Sequence, residues 1–181
     1  MTITFHPNGK IDGINNANFN SSLPSGHVIQ TVVGTNGTSS SGSVTISSSS
    51  ASSPTFLDSN CKVTITPQRS NSKILITWSA QIRVNPSSRG HFGAYYSPNS
   101  DMSSPTAVDK ARGGSLDESY RTVSGGADSY IFASWSRIVW DETVSNTNVR
   151  YYNVGAYKSA GDMYYGDNGV ALQLMAQEIL V

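Results

Sequence analysis

A chain of 181 residues is the size of one domain and long enough to bury a substantial core. Charged residues make up 13% of it, and 12 basic side chains balance 12 acidic ones. It therefore lacks the field expected of a nucleic-acid binder or a basic membrane-surface protein.

The single cysteine, Cys61, excludes an internal disulfide and reads as a buried free thiol, because its neighbours alternate polar and apolar. No apolar run is long enough to cross a bilayer, so membrane insertion is not expected. The opening MTITFHPNGK has no charged–apolar–small order and is not read as a secretory signal. The expectation is synthesis in a cytoplasm, where the protein stays soluble unless it leaves by lysis or inside a particle.

Residues 1–26 read as an arm and linker, and residues 27–181 as the body. In the arm, Ile3 and Phe5 alternate with Thr2 and Thr4, and Ile11 and Ile14 flank Asp12-Gly13. The Asn- and Ser-rich run that follows carries too little apolar surface to fold alone. Such an arm packs back on its own domain or inserts in a partner, and Ile3, Phe5, Ile11 and Ile14 are its candidate docking residues.

The body opens with a strand over 27–33. The small-residue stretch 34–53 reads as a flexible loop that holds one short edge strand around Val44 and Ile46. Weak strands follow at Thr55–Leu57 and at Val63 and Ile65, the latter expected to form a hairpin with the next run through a turn at 68–72. That next run, Lys73–Val84, has the clearest pattern in the chain. Ile74, Ile76, Trp78, Ala80, Ile82 and Val84 occupy one face and mostly polar or small residues the other. At roughly 1.5–3 kcal/mol per buried large side chain, this face alone contributes about 10 kcal/mol gross.

A strand over His91–Tyr96 contains Gly93, which marks a bulge or a close backbone approach. Residues 97–126 are mostly irregular, with short strands expected at 106–111 and 119–123. Long strands follow over 128–140 and 148–158. The former carries large groups on both faces and is expected to be covered on both sides. Residues 170–181 are rich in helix formers but alternate, and every neighbour is a strand, so they too are predicted as strand. The fold class is all-β: an antiparallel β-sandwich, jelly-roll-like, with a short N-terminal arm. Apolar second faces point to burial against other copies, with a trimer as the first expectation.

Reaction chemistry does not rise out of the sequence, and no cofactor or enzyme activity is expected. His6, His27 and His91 lack metal-ligand spacing, and no Gly-x-Ser-x-Gly elbow or phosphate-cradling Gly loop is present. Asp117-Glu118 and Asp141-Glu142 read as solvated turns, since strand neighbours face opposite sides. The loop 159–169 is the most suggestive patch. Tyr164 and Tyr165 sit among Asp167 and Asn168, a mixture of flat rings and polar groups suited to a sugar, to a protein contact, or to an ordered turn.

Three stretches taken together resemble a family of small phage virion proteins and fibre tips found in marine and cyanobacterial phages. They are Asn8-Gly9-Lys10-Ile11-Asp12-Gly13-Ile14 with Leu23-Pro24-Ser25-Gly26-His27-Val28-Ile29-Gln30; Val63-Thr64-Ile65-Thr66-Pro67 with Ser72-Lys73-Ile74-Leu75-Ile76; and Leu174-Met175 with Glu178-Ile179. The chain departs from the family pattern at Ala176-Gln177 and in its long 97–126 segment. The resemblance implies a β-sandwich, often trimeric, displayed on a virion surface. The arm would dock on other virion proteins, as in a capsid decoration or short head fibre. The alternative it implies is a tail-fibre module that recognises host surface polysaccharide through the Tyr loop.

Overall fold

Period-two runs become strands throughout. The computed structural model describes residues 4–5, 11–12, 24–34, 44–84, 89–108, 118–119, 131–165 and 172–181, and all regular structure among them is β. The strands are β1 (Thr4–Phe5), β2 (Ile11–Asp12), β3 (Val28–Val33), β4 (Val44–Thr45), β5 (Thr55–Phe56), β6 (Val63–Ile65) and β7 (Lys73–Val84). They continue as β8 (Arg89–Ser97), β9 (Thr106–Ala107), β10 (Glu118–Ser119), β11 (Ile131–Asp141), β12 (Arg150–Ala160), β13 (Met163–Tyr165) and β14 (Gln173–Ile179). In the arm, β1 and β2 pair with each other, with Phe5 opposite Ile11.

The remaining strands form two six-stranded sheets, and every pairing is antiparallel. In the first sheet β11 runs along β7 from Ile74 to Val84, occupying one whole edge of it. Both β14 and β13 must therefore lie on the other edge, β14 against Lys73–Ser79 and β13 against Ile82–Val84. They share one lane, and outside it β3 pairs β14 while β4 pairs β13. In the second sheet β8 and β12 form the centre, β5 and β6 flank β12, and β9 and β10 flank β8.

Ile74, Ile76, Trp78 and Ala80 of β7 meet Leu174 and Ala176 of β14 in one buried cluster. The same cluster contains Val63, Ile65, Phe92, Ala94, Tyr152, Val154 and Ala156 of the second sheet. The two sheets thus share a core, which makes the body an antiparallel β-sandwich. The jelly-roll winding expected from the sequence is not established by these pairings. Cys61 is buried, as expected, and its thiol donates to the Leu172 carbonyl at 3.3 Å.

The structure corrects several readings. Val63–Ile65 does not form a hairpin with the central strand: β6 pairs β12 and β7 lies in the opposite sheet. The connection 66–72 crosses between sheets, and its Gln68 and Arg69 N–H groups donate to Glu178, a buried carboxylate on β14. The short edge strand expected around Val44 and Ile46 is present as β4, and Ile46 beside it is fully buried in the core. The first part of the 97–126 segment is ordered by its own side chains, with Ser97 Oγ donating to the Ser103 carbonyl at 2.6 Å and Asp101 accepting from Ser103 N–H at 2.9 Å. That loop lays Met102 over Tyr95 and covers the outer face of the second sheet together with Phe56, Tyr151 and Tyr157.

Candidate interaction site

Among the described residues the outer face of the first sheet has no such cover. Residues directly opposed across paired strands share a face, so the register writes this surface out row by row. Trp140, Leu75, Gln177 and Thr31 make one row; Ile138, Thr77, Met175 and Val33 make the next. Ile179 faces Val28 at one end, and Ser136, Ser79 and Gln173 form a polar row at the other. Ile138 is 69% exposed, Val33 65%, Val28 48% and Trp140 46%, a concentration of bare large apolar groups on one surface. Among the described residues the two-sided cover expected for residues 128–140 is not found at Ile138 and Trp140.

One corner of this face continues into a cleft of about 530 Å³. Residues 137–143 form one wall and Tyr96, Thr106, Ala107 and Val108 the other. Beneath it lies a buried ionic cluster. Arg150 donates from Nη2 to Asp141 Oδ2 at 2.7 Å, and the Tyr152 hydroxyl donates to the same oxygen at 2.7 Å. Asp141 Oδ1 accepts from Thr143 N–H at 2.9 Å and from its hydroxyl at 2.6 Å. The Arg150 guanidinium lies 3.7 Å from the centre of the Tyr96 ring. Burial opposes the charge on Asp141, but bonds from Thr143 and Tyr152 and the Arg150 cation outweigh it and hold the carboxyl below its ordinary value. Burial, reinforced by the Asp141 charge, pushes the Tyr152 hydroxyl far up. With every carboxylate oxygen engaged, the cluster braces the cleft and offers no free acid or base.

The residues singled out from the sequence fall in several places. Tyr165 is a core residue, fully buried, and its hydroxyl accepts from Leu172 N–H at 2.7 Å. Burial pushes that hydroxyl up to about 12. It pairs opposite Ile82 in β13, so residues 163–165 are strand rather than loop, and Tyr165 is no surface platform. Tyr164 is half-buried, while Asp167 and Asn168 lie outside the described residues. In the arm, Phe5 and Ile11 are register partners, and Ile3 and Ile14 lie outside the described residues. Asp141, read as a solvated turn residue, is buried at the end of β11. The adjacent carboxylate Glu142 behaves as expected, exposed and paired to Lys73 at 2.6 Å. Arg150 and Tyr152 were not singled out at all. Their i, i+2 spacing on a strand, which puts both on one face, is the one sequence signal for the cluster. Among the described residues no group of three His, Cys, Asp or Glu side chains is placed to hold a metal ion. Comparison of the chain with known protein families, with curated proteins and with solved structures finds no match.

Proposed function

We propose that this chain is a structural protein of a phage particle, working as a homo-oligomer assembled through the outer face of its first sheet. A trimer is the expected number, and the role is that of a capsid decoration or short head fibre. The arm that carries Ile3, Phe5, Ile11 and Ile14 is the docking element. One observation carries the assembly: Ile138, Trp140, Val33 and Val28 stand bare on one sheet face, whereas the chain covers the opposite face with its own loop. A concentration of exposed large apolar groups on one sheet face supports an interaction site there. The particle itself is supplied by the resemblance of the 8–14, 23–30, 63–76 and 174–179 stretches to phage virion proteins.

The alternative, a module for host polysaccharide, draws less from the geometry. Of the residues suggested for it, Tyr165 lies in the core and Tyr164 alone is described near the surface.

The test is the mass of the protein in solution by light scattering, for the natural chain and for Ile138→Lys. The natural chain is expected to be oligomeric and the variant monomeric with an unchanged melting temperature. A natural chain that stays monomeric at tens of micromolar overturns the proposal.

A further inference from the structure

The loop over the second sheet is a bonded unit resting on one side chain. Of residues 98–104 only Met102 is buried, and the other six are exposed. Polar groups of the segment bond to one another and to Ser97 at its base. Asn99 N–H donates to Ser97 Oγ at 3.0 Å, Met102 N–H to the Asn99 carbonyl at 3.0 Å, and Asn99 Nδ2 to Ser103 Oγ at 3.0 Å. Two ties join this unit to the body. The Met102 side chain sits among Phe56, Tyr95, Ala107, Tyr151 and Tyr157, and Lys62 Nζ donates to the Ser100 carbonyl.

Closure also carries costs. Met102 and Ser104 have φ of 60° and 53°, in the left-handed region where a side chain crowds its own backbone. Ser104 precedes Pro105, and a proline ring favours extended backbone in the residue before it. Relaxation of Ser104 to that form redirects the chain just before β9, which makes this residue a hinge. Closure further buries the Tyr95 hydroxyl, which has no hydrogen-bond partner among the described residues and regains water when uncovered. Against these stand the burial of one methionine, its contact with the Tyr95 ring and the Lys62 bond. Terms so closely matched set this segment at the low end of local stability. We propose that residues 98–104 are a strap that swings about Ser104, opening while the sandwich stays folded. Opening uncovers a patch of rings, Phe56, Tyr95, Tyr151 and Tyr157, that the closed chain withholds from contact. Ile138 and Trp140 lie on the other sheet, so this inference stands or falls apart from the assembly proposed above.

The full-length protein is treated with dilute hydrogen peroxide, which passes one oxygen to a thioether sulfur and leaves water. Peptide mass spectrometry follows Met102 against Met163, which is 1% exposed in the shared core. In parallel, tetranitromethane nitration follows Tyr95 against Tyr165, both fully buried. Met102 is expected to oxidise at least about tenfold faster than Met163, and Tyr95 to be nitrated ahead of Tyr165. Ser104→Val, a β-branched residue that resists the left-handed region, should raise the Met102 rate several-fold and leave Met163 unchanged. Met102 and Met163 reacting together would mean that the segment opens only with the whole fold, and the inference is overturned. Fast oxidation of Met102 with Tyr95 still protected overturns it as well, since the sulfur is then reached without the strap leaving the sheet. So does a Met102 rate that Ser104→Val does not change. Should that variant fail to fold, the two comparisons in the natural chain decide the matter.

Discussion

Ser72 donates its hydroxyl hydrogen to Glu178 Oε1 at 2.6 Å, tying the start of β7 to a strand 106 residues further along. The same carboxylate accepts from Gln68 N–H at 2.9 Å, Arg69 N–H at 3.1 Å and Gln30 Nε2 at 2.6 Å. It satisfies the backbone of the crossover that a simple hairpin would have paired elsewhere. A charged acceptor is suited to this task because each bond to it is stronger than a neutral one.

Glu178→Gln places an amide NH₂ where donors converge. Losing charge-assisted bonds and leaving part-buried N–H groups unpaired is expected to cost about 2–3 kcal/mol. The shift in the urea midpoint, at unchanged slope, measures it. A variant as stable as the natural chain would mean that the crossover does not depend on this residue.

The pair Asp141–Arg150 predicts a pH dependence. The folded-state value of Asp141 lies below the ordinary 3.8, so its contribution is present above that value and is lost as pH falls through the folded value. Asp141→Asn leaves the Arg150 charge buried without its partner and is expected to cost roughly 3–5 kcal/mol at pH 7. The gap between natural chain and variant should stay constant from pH 7 to about 5 and close below about 4. Thermal melts of both proteins across that range decide the matter.

Trp78 is buried in the middle of β7, and its indole N–H has no hydrogen-bond partner among the described residues. Trp78→Ser therefore removes a large packed group and should cost about 3 kcal/mol or more. Trp78→Phe loses no hydrogen bond, and its smaller cost, expected near 1–2 kcal/mol, reflects volume alone. Equal losses for the two would show that something other than packing holds the indole in place.

Gly155 leaves the space that the Tyr95 ring fills. A Cβ there would lie 2.9 Å from two ring carbons of Tyr95 and 2.9 Å from Pro54 Cβ. Gly155→Ala is expected to destabilise by about 1–3 kcal/mol. In a Tyr95→Val background the same substitution should cost less, a non-additivity that a double-mutant cycle reads directly.

Alternation alone placed most of the strands. Ile74, Ile76, Trp78 and Ala80 face the core as their spacing predicts, and residues 173–179 are strand despite their helix-forming composition. Side-chain direction in an extended backbone is a local property, so it can be read from a few neighbouring residues. Sheet membership is not local. Val63–Ile65 lies close to Lys73 in sequence, yet it joins the other sheet, and the backbone of the crossover between them bonds to Glu178, far along the chain. Cover is not local either. Tyr95 and Ile138 both stand on outward sheet faces, and Tyr95 is fully buried while Ile138 is 69% exposed, because among the described residues a loop returns over one face and not over the other. Asp141 and Tyr165 differ from their sequence reading because a carboxylate beside a turn and a tyrosine beside glycines look solvated until the next strand supplies Arg150 to the one and the shared core closes over the other. Residue spacing dictates which way a side chain points, and long-range packing dictates what it meets there.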